Sequence, residues 1–372
     1  MSVPASLPAG AVITSGEALA RVAATAQARD RGPACFPEDA IAALESAGLL
    51  AWGASSPVAV RPAAHEELAL VRAVARADGS VGRIFDGHVN AVERLAVQAP
   101  EELRDRELAA VRARALRCGV WGGDPRPGEG PPAMVVDQGG QEVLRGVKTF
   151  CSGAGGLHRA LVLARIANPP SPRPPSPPTA VWIDLTLPGT VEIDEAWYLS
   201  SGLRASVSHR VVFHDAPVLA HLGPPGALTQ EPWFSRDALR TAATWAGMAD
   251  SALEAALQEL AARPSRGALE DAAAGRMLSA HGTIDVWIDA AAGAMDAPSD
   301  ALPAISAHTR AEIAAACHRL LDEAARACGS HPFVRAGQLD RARRDLEVFL
   351  LQHRLDPILA RAGAAALAER TP

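Results

Sequence analysis

Residues 144–165 read LRGVKTFCSGAGGLHRALVLAR. The first part is an apolar, partly β-branched run. It ends in a hydroxyl at Ser152 and four small residues, Gly153, Ala154, Gly155 and Gly156. A strand running into glycines is how many phosphate-binding loops begin, but such loops feed a helix N-terminus. Here LHRALVLAR reads as another strand, so the glycines are a strand-to-strand connection. Alternation places Lys148, Phe150 and Ser152 on one face, and Val147, Thr149 and Cys151 on the other. Spacing alone is equally compatible with a packed phenylalanine and an ordinary strand-ending serine.

Strand patterns extend outward in both directions. AMVVD, QGG and QEVLRGVKTF (133–150) read as a hairpin with a glycine turn. HRALVLARI, TAVWIDL, TVEIDEAWY and SHRVVFHD are further strand candidates. NPPSPRPPSPP (168–178) is an exposed polyproline-like connection. The flanks have helical periodicity. FPEDAIAALESAGLL (36–50) carries Pro37, two acids for a first turn and Gly48 near its stop. In 80–98, Val81, Ile84, Phe85, His88, Val92 and Leu95 share one face. Towards the C-terminus, alanine-rich helices are expected at 235–262, 269–294, 305–328 and 338–363, punctuated by prolines. Their small residues suit a bundle. The expected architecture is α+β: a helical region over 1–116, a β-domain over 117–225 and a helical bundle over 226–372.

Bulk properties narrow the function. The chain has 372 residues, is 48% hydrophobic and carries a net charge of −6. No basic arm is present, which argues against nucleic acid as a partner. No apolar run reaches the ~18–20 residues needed to cross a bilayer. MSVPASLPAG has no basic leader, so the expected location is cytoplasmic. The five cysteines form no CxxC pair, and no HExxH or H-x₃-H pattern joins the histidines, so no metal site is expected. Walker and GxGxxG motifs are absent. No elbow motif surrounds Cys151, which by alternation faces away from Ser152, so they are not a nucleophile pair.

Three segments, in order, resemble the acyl-CoA dehydrogenase superfamily: the opening stretch, SGLRASVSHRVVFHDAPV (201–218) and RRDLEVFLLQH (343–353). The likeness spans roughly residues 15–365. It implies an N-terminal helical domain, a central β-barrel domain and a C-terminal four-helix bundle. It also implies FAD between barrel and bundle, and assembly as a homodimer or homotetramer. By this resemblance Phe150 would stack on the flavin and Ser152 would hydrogen-bond its N5. CGVWGGDPRPGEG (118–130) occupies the place of the family loop T-E-P-x-x-G-S-D. Asp124, Pro125 and Gly128 fit it; Gly123 replaces the threonine, and Glu129-Gly130 replace Ser-Asp. The backbone of Trp121 to Gly123 would still donate to flavin oxygens. Arg263 matches an arginine that reaches the FAD pyrophosphate of an adjacent subunit, and a guanidinium suits phosphate. A helix-terminal arginine opposing the dipole is the other reading. Gly329 falls at a glycine that approaches FAD, or is a plain helix stop.

The family's catalytic glutamate stands eight residues after the aspartate matched by Asp345. Here that position is His353, and the alternative glutamate site falls at about Leu239. A neutral imidazole can serve as a base near pH 7. The resemblance thus implies an FAD-dependent oxidoreductase that dehydrogenates an acyl thioester, or a related small molecule, at Cα–Cβ and passes electrons to an external acceptor. The alternatives are a flavin monooxygenase on the same scaffold and a non-catalytic, degenerate scaffold.

Overall fold

The computed structural model describes residues 13–54, 62–167, 177–335, 337–352, 355–368 and 370. The proline-rich segment falls largely outside them. The helices are α1 (Ser15–Arg31), α2 (Glu38–Ser46), α3 (Ala64–Ala77), α4 (Gly79–Gln98), α5 (Glu101–Arg112), α6 (Trp233–Ala261), α7 (Ala268–Asp296), α8 (Leu302–Cys328), α9 (His331–Val334), α10 (Gln338–Leu350) and α11 (Asp356–Ala368). The strands are β1 (Cys118–Trp121), β2 (Met134–Gln138), β3 (Gln141–Cys151), β4 (Arg159–Ile166), β5 (Thr179–Asp184), β6 (Val191–Asp194) and β7 (His209–His221). None of the described helices is long and apolar enough to cross a membrane. The chain divides into two compact units, Met1–Pro62 with Arg83–Leu199 and Arg204–Gln230, and Ala63–Gly82 with Ser200–Leu203 and Glu231–Pro372.

In the first unit, β2 pairs β3, β3 pairs β7, β7 pairs β5, β5 pairs β4 and β4 returns to β2. That ring is a small five-stranded barrel, with β1 attached to β4 and β6 to β7. The β2–β3 hairpin closes through Gly139 and Gly140 at φ 65° and 94°, the two left-handed residues that a type I′ turn requires. On one side of the barrel Leu161, Ala180 and Trp182 pack on Val92, Leu95, Leu108 and Val111 of α4 and α5. Within that layer the buried Glu107 accepts from Trp182 Nε1 at 3.1 Å and Arg159 Nε at 3.0 Å, so its charge is compensated. His88 is a satisfied core residue: Nδ1 accepts from Cys118 N at 3.0 Å and Nε2 lies 2.7 Å from Leu50 O. Burial pushes its pKa down, which favours the neutral ring that this pairing needs. The other predicted face residues of α4 within this unit, Ile84, Phe85, Val92 and Leu95, are all buried as well.

In the second unit α6, α7, α8 and α10 form the bundle, joined by α3. A Cβ at Gly247 of α6 would come 2.1 Å from Arg72 O of α3, so the two backbones touch there and only glycine fits. Arg72 then reaches Asp250 and Asp285, both at 2.7 Å. The expected single helix over 338–363 is two helices: α10 stops at Leu350 and α11 begins at Asp356. Pro357 explains the break, because it has no N–H and clashes with a preceding turn, and so is tolerated only at a helix start. His353, placed by the resemblance on that helix, lies outside the described residues.

Candidate functional site

The chemistry-bearing end of the barrel is where β3 leaves β7. Lys148 pairs with Val211, and the next pair is Cys151 with His209, so β3 carries one extra residue. This is a β-bulge, with Phe150 in the left-handed region at φ 55°. The bulge overrides strict alternation. Lys148, expected beside Phe150, is buried and its Nζ lies 2.7 Å from Asp124 Oδ1. Phe150 instead stands 57% exposed, held edge-on by Trp197 with ring centroids 5.0 Å apart. Trp197 is fixed in turn by donating its Nε1 hydrogen to Glu129 Oε1 at 3.0 Å. The Arg126 backbone N–H, followed by Trp197, holds the Glu129 carboxyl below its ordinary range. The residue standing where the resemblance expects a serine thus positions an aromatic neighbour of Phe150.

Ser152 begins a chain of hydroxyls. Its Oγ lies 2.8 Å from Ser208 Oγ, which lies 2.8 Å from Ser206 Oγ, and Ser206 lies 3.5 Å from the Tyr198 hydroxyl. All four residues are buried, and in every link either oxygen can donate. Val207, between the two serines, has φ 41°, a conformation that strongly disfavours a β-branched residue. His209 follows, buried, with its Nδ1 unpartnered and its ring edge-on to Tyr198 at 6.1 Å. Burial pushes the His209 pKa down, so the ring is neutral near pH 7. Sequence reasoning missed Ser206, Ser208, Tyr198 and His209. The only available signal was the pair of serines two residues apart, leading into a strand.

The other predicted residues fall into two groups. Trp121 is buried and donates its Nε1 hydrogen to Ser152 O at 3.0 Å, so its indole anchors the end of β3. Gly123 O accepts from Thr149 N at 3.0 Å, and a Cβ at 123 would stand 2.4 Å from Thr149 O. Close approach of β3 therefore accounts for glycine in place of the family threonine. Cys151 is fully covered and burial pushes its thiol well up, which keeps it inert. In the bundle unit, Arg263 and Gly329 meet at the C-terminus of α8. Arg263 Nη2 donates to Ala327 O at 2.7 Å and Cys328 O at 3.2 Å, Nη1 lies 3.2 Å from Glu270 Oε1, and Gly329 caps α8 at φ 70°. This is a cation on the helix's negative end, the alternative to phosphate contact. Asp345 is buried and accepts from Leu203 N at 2.6 Å, tying α10 to the short segment 200–203. Among the described residues, no group of three His, Cys, Asp or Glu side chains is arranged to hold a metal.

No protein-family profile matches the sequence, and no curated protein matches it. Solved structures do. The complex of TdsC from Paenibacillus sp. A11-2 with FMN and indole superposes with TM-score 0.82 at 20% identity, covering 96% of both chains. TdsC is a dibenzothiophene monooxygenase. Methanesulfinate monooxygenase MsuC from Pseudomonas fluorescens gives TM-score 0.79 at 22% identity over 97% of this chain and 98% of its own. KijD3, solved with FMN and a dTDP-linked amino keto sugar, gives 0.77 at 20% identity over 90% and 86%. At these identities the likeness is one of fold. The chain therefore has the acyl-CoA dehydrogenase-like fold that TdsC, MsuC and KijD3 share.

Proposed function

We propose that this chain is a flavin-dependent oxidoreductase that binds FMN and oxygenates a small organic substrate. The observation that carries the reading is the bulged end of β3, where Phe150 is held outward in left-handed backbone beside a buried hydroxyl chain beginning at Ser152. Strain of this kind persists only where surrounding structure enforces it, and it clusters at ligand sites. The FMN-bound structures of the same fold, and the two monooxygenases among them, support the choice of cofactor and reaction. The capping of α8 by Arg263 favours FMN over FAD, because it occupies the arginine that the resemblance assigns to the FAD pyrophosphate.

Bound and reduced, the flavin supplies the two electrons with which O₂ is activated. The protein supplies position and protons. Phe150 offers an exposed aromatic face for stacking, steadied by Trp197. Ser152 is the hydroxyl placed to hydrogen-bond the flavin. If Tyr198 donates to Ser206, Ser206 to Ser208 and Ser208 to Ser152, the Ser152 hydroxyl is turned outward as a donor. The reverse order makes Ser152 an acceptor, so the chain passes a proton in either sense without holding charge. The reading includes an external electron donor, a cytoplasmic location and assembly as a homodimer or homotetramer.

A second reading, Cα–Cβ dehydrogenation of an acyl thioester with FAD, keeps one specific support. Asp345 is locked in place by Leu203 N, and the eighth residue after it, His353, would be the base. Leu239, the other family position for the base, is apolar and fully buried in α6. Titration of the purified protein with FMN and FAD, read by flavin fluorescence, tests both. A folded protein that binds neither would reduce the chain to a scaffold. Given binding, incorporation of labelled oxygen into indole or small organosulfur compounds supports oxygenation. Anaerobic reduction of an artificial acceptor by an acyl-CoA would replace it with dehydrogenation.

A further inference from the structure

Glu129 and Gly130 stand where the resemblance expects Ser-Asp, and local chemistry builds the loop around them. Arg126-Pro127-Gly128-Glu129 is a tight turn. Glu129 N donates to Arg126 O at 3.0 Å, proline stands second and Gly128, at φ 94°, stands third, the arrangement of a type II turn. Glu129 closes the turn a second time, its Oε2 accepting from Arg126 N at 2.8 Å. Its other carboxylate oxygen, Oε1, accepts the Trp197 Nε1 hydrogen at 3.0 Å. Gly130 follows at φ 111°, and a Cβ there would stand 2.8 Å from Val147 Cγ2, so the loop lies directly on β3. Just beyond it, Val147 N donates to Pro131 O at 2.8 Å and Ala133 N to Val147 O at 3.0 Å. Arg210 of β7 joins this loop to the segment that carries Trp197. Its Nε donates to Glu129 O at 3.0 Å, and its Nη1 lies 3.3 Å from Asp194 Oδ2, immediately before the single helical turn Glu195–Trp197.

These contacts converge on one ring. Trp197 stands at 81° to Phe150 with centroids 5.0 Å apart, and Phe150 is more than half exposed. A ring so exposed has few contacts to orient it, so the edge contact with Trp197 carries much of its placement. The indole is tethered in turn by an N–H bond to a carboxylate, a charge-assisted bond stronger than a neutral one. We propose that Glu129 is a positioning residue for the flavin platform: through Trp197 it holds the Phe150 ring where a planar cofactor stacks. This assignment rests on the flavin reading of the barrel site. It gives the two residues that break the family loop a joint role, Gly130 laying the loop on β3 and Glu129 fixing the indole.

The test is a double-mutant cycle on the full-length chain, with FMN affinity read by flavin fluorescence and folding by urea unfolding without flavin. Glu129→Ala removes the acceptor and leaves both rings. It is expected to bind FMN about 2- to 12-fold more weakly than the wild type, the worth of an aromatic edge contact expressed as an affinity ratio. Trp197→Ala should weaken FMN by a similar factor. In that background Glu129→Ala should change the affinity by less than about twofold, because the ring through which Glu129 acts is gone. Equal losses in both backgrounds would mean that Glu129 acts on the loop alone, and would overturn the proposal. Should Glu129→Ala not fold, Trp197→Phe takes its place. It keeps an aromatic edge and removes the N–H that Glu129 receives, so FMN affinity should fall within the same range; wild-type affinity in that variant refutes the role of Glu129. The underlying reading fails separately. A folded wild-type chain that binds no flavin removes the site itself, and the proposal with it. A wild type that binds FMN, with a Glu129→Ala variant that binds it equally well, leaves the site and overturns only the role of Glu129.

Discussion

Replacing Phe150 separates a packing residue from a cofactor platform. With 57% of its surface exposed, a little under half of the ring is covered. Full burial of a phenylalanine stabilises by about 1.5–3 kcal/mol, so this partial cover contributes about 1 kcal/mol. The edge contact with Trp197 adds about 0.5–1.5 kcal/mol. Against these stands the backbone at φ 55°, which costs a non-glycine residue about 1–2 kcal/mol. Phe150→Ala loses the contacts and keeps the strain, so it is expected to destabilise by about 1.5–2.5 kcal/mol. Phe150→Gly loses the same contacts but relieves the strain, and is expected to be more stable than the alanine variant by about 0.5–1 kcal/mol after its greater unfolded entropy is included. Both variants lose the aromatic face, and flavin affinity should fall by about 5- to 30-fold, equivalent to about 1–2 kcal/mol of stacking. Urea unfolding without flavin and fluorescence titration with FMN measure the two effects separately. If Phe150→Ala unfolds by about 3 kcal/mol or more while flavin binding is unchanged, Phe150 is a core residue and the proposed platform is wrong. A glycine variant less stable than the alanine variant would show that the left-handed bulge is absent.

Three further outcomes follow from individual contacts. Ser208→Ala interrupts the hydroxyl chain between Ser152 and Ser206 while leaving Phe150 untouched; flavin binding should hold within about twofold and turnover should fall by at least about 10²-fold, the low end for general acid–base loss, in stopped-flow oxygenation assays. Gly156→Ala would set a Cβ 2.2 Å from the Phe36 ring, so calorimetry should show a loss of about 1–3 kcal/mol from overpacking. His281 lies 2.7 Å from Asp250, and that hydrogen bond raises its pKa above the ordinary 6.5. A raised folded-state value means the contribution is complete below about 6.5 and is lost as pH climbs through the folded value. Urea midpoints should therefore decline from mildly acidic to mildly alkaline pH, and His281→Gln should flatten that decline.

Much of the fold could be read locally because local chemistry decides it. Gly139 and Gly140 supply the two positive φ angles of the hairpin, and nothing else in that stretch competes. Pro37 and the two acids behind it start α2, and the apolar face of α4 is buried as its period requires. In the bundle's last helix the periodic apolar pattern runs on through Pro357, whereas the helix does not. The proline carries the stop signal, and the observed helix ends seven residues before it rather than bending through it. The site was harder for a different reason. A period-two reading assumes that each residue on one strand faces one on the next, whereas the pairing of β3 with β7 inserts an extra residue just before Cys151. That insertion is a property of two strands nearly sixty residues apart, so no window around Phe150 contains it.

The same long-range logic changes the meaning of the two candidates at the other end of the chain. In the sequence Arg263 and Gly329 each carry two readings, contact with a dinucleotide or a helix end. Together they terminate α8, the arginine taking the last carbonyls and the glycine turning the chain away. An arginine with two carbonyls and Glu270 already around it would have to release part of that set to hold a pyrophosphate. If residue type alone determined phosphate recognition, the half-buried Arg263 at the motif position would hold a phosphate. Partner counting argues against it, because binding an anion at Arg263 displaces acceptors the fold already provides.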